Sequence, residues 1–176
     1  MLSPIRNKTV YAGLMLSVAL ILSYVETLIS LDGIFPGVKL GLSNFAVVVT
    51  LYVFGPGFAF FISVTKVLLS TLLFGNMASA IYGFSGALLS FAVMIVLYHC
   101  NGFHTPVVSA AGGVFHNIGQ FLTAVFVTGT FVPGFYLLYI PILIFFGFVS
   151  GFFTGLVAGF CIPYIKRIII KGDSKL

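Results

Sequence analysis

Charge is what this 176-residue chain has least of: three acidic and eight basic side chains, 6% of the sequence, where a soluble domain carries about 25%. So few ionic groups cannot cover a surface in water, which excludes a soluble enzyme, a disordered segment and a nucleic-acid-binding domain. Carboxylates are scarcer still. Glu26, Asp32 and Asp173 are the only ones and form no acidic motif, and magnesium-dependent diphosphate chemistry needs carboxylates clustered around the metal. There is no GxxxxGK[ST] phosphate loop, no nucleophile elbow and no HExxH, so the chain cannot hydrolyse ATP through a P-loop. We read it as a non-enzyme that needs no cofactor and holds no metal. Its two cysteines, Cys100 and Cys161, lack CxxC spacing, and neither a disulfide nor a zinc site is expected. Polar alternation over ten-residue runs is also missing, which argues against a transmembrane barrel.

What is there is apolar: 60% of residues are hydrophobic, 21 are phenylalanine and 20 are glycine. A membrane-crossing helix needs about 20 mostly apolar residues, and the breaks between runs follow glycine, proline and polar clusters. The sequence predicts an all-α integral membrane protein, residues 1–176 forming a single transmembrane domain. Six spans fall near 10–30, 39–54, 58–74, 79–98, 106–128 and 135–162. The first run carries Tyr24 and Glu26 and lacks a small-residue cleavage site, so it reads as a retained span rather than a signal peptide. Arg6, Lys8, Lys166, Arg167, Lys171 and Lys175 sit in the two tails, and excess basic residues mark the cytoplasmic side. Both termini are therefore expected in the cytoplasm of a cell (plasma or inner) membrane protein.

Polar side chains inside apolar spans are costly and usually face the bundle interior or a water-filled cavity. They are few here: Glu26, Lys39, Asn44, Lys66, Asn76, His116, Asn117 and Gln120. With the termini inside, a rise of about 1.5 Å per residue puts all of them in the outer half of the bilayer. The pattern predicts an outward-facing pocket in contact with solute. His116 and Gln120 share one helix face with Gly112 a turn earlier, and the start of the second span is interrupted by Gly33, Pro36, Gly37 and Gly41, the kind of broken helix that marks binding sites. Lys39 and Lys66 against Glu26 leave a surplus of about one positive charge, which suits a small anionic or amide-rich solute. Structural roles stand beside this: Glu26 pairing with either lysine, Lys39 snorkelling to the interface, and interhelical hydrogen bonds from His116, Asn117 and Gln120. His99 and His104 read as solvated loop residues.

Gly147, Gly151, Gly155 and Gly159 place a glycine at every fourth position of the last span. That spacing lets another helix approach closely, whether from this chain or from a separate protein.

The segments SYVE (23–26), PGVKLGLSN (36–44), FGN (74–76) and HNIGQ (116–120) resemble the Gx transporter family, whose members are often labelled heptaprenyl diphosphate synthase component I. That family is similar in size and six-helix layout to the substrate-binding S components of energy-coupling-factor transporters. The resemblance implies an extracytoplasmic solute pocket, and docking on a separate module of one membrane protein and two ATPases. The first helix departs from the AxxxA docking face of S components, offering only Gly13 with Ser17, or Ala19 with Ser23. Relatives near flavin and quinone electron-transfer genes imply an alternative, a membrane subunit that binds quinone or flavin or anchors a redox partner. A third reading is a non-catalytic accessory of polyprenyl diphosphate synthesis.

Overall fold

Proline and glycine set most of the helix boundaries. A computed structural model of the chain describes residues 4–29, 41–100, 102–129 and 133–173. Among them are six helices and no strand: α1 (Pro4–Leu28), α2 (Asn44–Phe54), α3 (Pro56–Phe74), α4 (Met77–His99), α5 (Thr105–Thr128) and α6 (Pro133–Asp173). Gly55 alone joins α2 to α3. Its φ of 93° suits glycine, which has no Cβ to clash there, and Pro56 opens α3 at the position where a missing N–H costs nothing. Asn76 caps α4 in a reciprocal box: its side-chain oxygen accepts from Ser79 N at 2.8 Å, and Ser79 Oγ accepts from Asn76 N at 3.0 Å. α5 ends at Gly129 with φ 63°, the left-handed stop that glycine favours.

Five helices are long and apolar enough to cross a bilayer. Their outer faces carry Leu72, Phe126 and Phe160, which are 81%, 87% and 72% exposed. An apolar belt of this extent cannot face water, and the chain is a multi-pass membrane protein.

The second span departs from the sequence reading of 39–54. α2 has 11 residues, about 16 Å of helix, too short to cross a core of roughly 30 Å. Gly41 adopts φ 67°, a left-handed conformation incompatible with a helix running through it, and a turn over 42–43 precedes α2. Lys39 lies outside the described residues. The short helix is enclosed instead: Ala46, Val47, Val48, Val49, Thr50 and Leu51 are fully buried, as expected of a helix surrounded by others. α1, α3, α5 and α6 all pack on it.

The helix of the last span extends beyond it at both ends. α6 runs for 41 residues, contains the span read at 135–162, and passes through Pro163. An internal proline removes one backbone hydrogen bond, but Ile162 is buried and Ile165 packs on the core beyond it, so apolar contact carries the helix onward.

Glycines hold α5 between its neighbours. A Cβ on Gly113 would strike the Gly147 carbonyl oxygen, one on Gly151 would sit 2.6 Å from Ser109 O, and one on Gly155 would sit 2.6 Å from the Cα of Pro106. The α6 glycines thus meet the backbone of α5, while at Gly159 an added Cβ meets nothing nearer than Thr105 Cβ at 3.8 Å. On the opposite side Gly119 abuts Gly86 of α4, 2.9 Å from its Cα if a Cβ were added.

Candidate functional site

The end of α1, the entry to α2, the end of α3 and the start of α4 gather at one end of the bundle, where Glu26, Ser43, Phe74 and Ser79 line a common space. A cavity of about 330 Å³ opens there and reaches down to the middle of α5 and α6, where Gly113, His116, Asn117 and Ser150 line it. Its size lies at the lower end of ligand pockets, about 300–1,000 Å³.

Four buried groups form its polar wall. The Glu26 carboxylate accepts a hydrogen bond from the backbone N–H of Gly41 and a second from Ser43 Oγ at 3.1 Å. Lys66 Nζ donates to Ser43 Oγ at 3.1 Å and to Asn44 Oδ1 at 3.2 Å. Ser43 therefore accepts from the ammonium and donates to the carboxylate, using both capacities of a hydroxyl, and links opposite charges on α1 and α3. Glu26, Ser43, Asn44 and Lys66 are each under 10% exposed. The left-handed turn at Gly41 brings its N–H onto Glu26 and feeds the chain into α2, so the break in the second span is part of the site.

On the far wall, Gln120 Nε2 lies 3.0 Å from His116 Nε2. With the amide nitrogen as donor, that ring nitrogen accepts. Asn117 Nδ2 donates to Leu143 O at 3.0 Å, bonding α5 to α6.

Of the residues singled out in the sequence, Glu26, Asn44, Lys66, Asn76, His116 and Asn117 line this one cavity. Gln120 does not; it is buried behind the wall and holds His116. Asn76 sits at the mouth with its side chain committed to the α4 cap. Sequence reasoning missed the hydroxyls, among them Ser23, Thr27, Ser43, Ser70, Thr71, Ser79 and Ser150. Several spend their proton on their own helix, Ser70 on Val67 O and Ser150 on Gly147 O, and such back-bonding lets serine sit in an apolar helix without marking a site. Ser43 carried the better signal, since it adjoins Asn44 in the broken entry to α2.

A second, apolar cavity of about 610 Å³ lies between α1 and α6, floored by Leu42 and Phe45. Among the described residues no group of three or more His, Cys, Asp or Glu side chains is placed to hold a metal ion.

Fold and site together define a polytopic, all-helical membrane protein with a polar cavity sunk into one end of the bundle. The family model described as heptaprenyl diphosphate synthase component I matches residues 15–161, and the chain belongs to that family. Comparison with curated proteins and with solved structures gave no match.

Proposed function

We propose that this chain is the solute-binding membrane subunit of a transporter, similar in role to an energy-coupling-factor S component. The observation that carries this reading is the cavity wall itself: Glu26, Ser43, Asn44 and Lys66 are buried around open space, and ionisable groups inside a membrane protein mark solute or ion pathways. With basic tails inside, the cavity faces outward. The charges of Glu26 and Lys66 balance, so the described wall favours a small amide- or hydroxyl-rich solute over a strongly anionic one. The surplus positive charge inferred from the sequence rests on Lys39. Energy for transport would come from a separate membrane protein with two ATPase subunits.

The family description names a synthase component, and that supports a second reading, a non-catalytic accessory of polyprenyl diphosphate synthesis. Catalysis by this chain is disfavoured because Glu26 is already engaged by Gly41 and Ser43 and, among the described residues, is the only carboxylate lining the cavity. A thermal-shift screen of polar solutes against the chain in nanodiscs separates the readings. Stabilisation by one solute class, abolished in Lys66→Met, together with co-purification of an ATPase module supports the transporter subunit. No stabilisation by any solute, with co-purification of a prenyl-transferring subunit, overturns it in favour of the accessory role.

A further inference from the structure

The polar cavity and the apolar one are neighbours that meet at a shared residue. Ser150 of α6 lines both. At the entry to α2 the residues divide between them, with Gly41, Ser43 and Asn44 on the polar side and Leu42 and Phe45 on the apolar side. The same division runs along α1: Glu26 lines the polar cavity, while Leu22 and Val18, one and two turns earlier on that face, line the apolar one. On α6 the apolar lining continues from Phe146 through Val149 and Phe153 to Val157, a length of about 16 Å. The helices leave this space open because α1 packs on α2 and α3, and α6 on α5 and α2.

We propose that the two cavities form one site for an amphiphile with a single aliphatic chain. The head, carrying no net charge, occupies the Glu26–Lys66 cavity and the chain lies in the groove between α1 and α6. Charge complementarity sets the head. A cationic end faces Glu26 and an anionic or carbonyl end faces Lys66, and the balanced pair penalises any head with a large net charge. Continuity sets the tail, since Ser150 lines both spaces and, among the described residues, the groove's lining is apolar but for Ser150 and Thr154. This deepens the solute-binding reading and rests on it: the small polar solute is the head of a lipid-like molecule drawn sideways from the bilayer.

A matched pair of probes tests this, 1-palmitoyl lysophosphatidylethanolamine and glycerophosphoethanolamine, which share a zwitterionic head and differ in the chain. Binding to the full chain in phosphatidylcholine nanodiscs is read by native mass spectrometry. The chain-bearing probe is expected to bind at least about tenfold more tightly than the bare head, and to lose binding in Val157→Trp, which fills the groove from an exposed position, and in Lys66→Met. Thr71→Leu, which narrows the polar cavity without removing a buried charge, gives the same loss if Lys66→Met fails to fold. Equal binding of the two probes overturns the amphiphile while leaving the solute-binding reading standing. Binding of the chain-bearing probe that survives both Val157→Trp and Thr71→Leu is surface adsorption and also overturns it, as does no binding of either probe.

Discussion

The ammonium of Lys66 donates to the hydroxyl of Ser43 over 3.1 Å. Through that contact α3 grips the first turn of α2, and Ser43 in turn donates to Glu26 on α1. Three helices thus meet at one hydroxyl, and what happens to either charge is felt by the other.

Removing one charge strands its counterpart in a buried site, and breaking a buried pair in this way costs about 3–5 kcal/mol. Glu26→Gln and Lys66→Met are each expected to destabilise the chain by roughly that amount in reversible unfolding from mixed micelles. The double variant should cost less than the sum by about 1 kcal/mol or more, because coupled neighbours are not additive. Strict additivity would mean that Ser43 transmits nothing between them.

Gly41→Ala tests the turn that delivers the backbone N–H to Glu26. An added Cβ would lie 3.7 Å from Ser150 Oγ, an ordinary contact, so any loss comes from forcing φ 67° on an L-residue, about 1–2 kcal/mol. A neutral substitution, measured by the same unfolding assay, would show that the left-handed turn is dispensable.

The glycines at the α5–α6 contact are expected to differ in their tolerance. Gly113→Ala and Gly151→Ala drive a methyl into facing backbone and should cost about 1–3 kcal/mol as overpacking does. Gly159→Ala has room and should fall within about 0.5 kcal/mol of the parent. Thermal melts of the four proteins side by side provide the check, and equal sensitivity at 151 and 159 would contradict this packing.

Asn76 lines the cavity mouth but works as a helix cap. Asn76→Ala should lower stability by about 1 kcal/mol, whereas Asn76→Asp, which keeps the capping oxygen, should restore most of it. Solute binding at the cavity should change little in either. A binding loss as large as that of Lys66→Met, at intact stability, would make Asn76 a contact residue.

How far the sequence reveals this arrangement can be judged residue by residue. The apolar runs and the scarcity of charge mark a helical membrane protein, because nothing else tolerates that composition. Glu26, Asn44, Lys66, His116 and Asn117 stand out because polar groups in lipid need a reason. That the second span is broken near Gly41 was legible, but not where α2 begins, since an apolar run does not reveal that Gly41 turns left-handed and starts the helix late. Nor was the end of α6, because the burial of Ile162 that carries the helix past Pro163 is a tertiary fact. Gln120 shared a face with His116 as its spacing required, yet which of the two reached the cavity depended on the close approach of Gly86 and Gly119. The serine hydroxyls escaped notice because most bond to their own helix, and only Ser43 is placed where two foreign charges meet it.

The central claim, that the cavity around Glu26 and Lys66 holds a small molecule, is tested most directly by native mass spectrometry of the chain extracted gently from its own membrane, beside Thr71→Leu prepared in the same way. The account predicts a single bound species of defined mass on the parent and its loss or marked depletion in the variant, with both proteins equally folded. A parent carrying no bound species, or one retained undiminished by the variant, would contradict it.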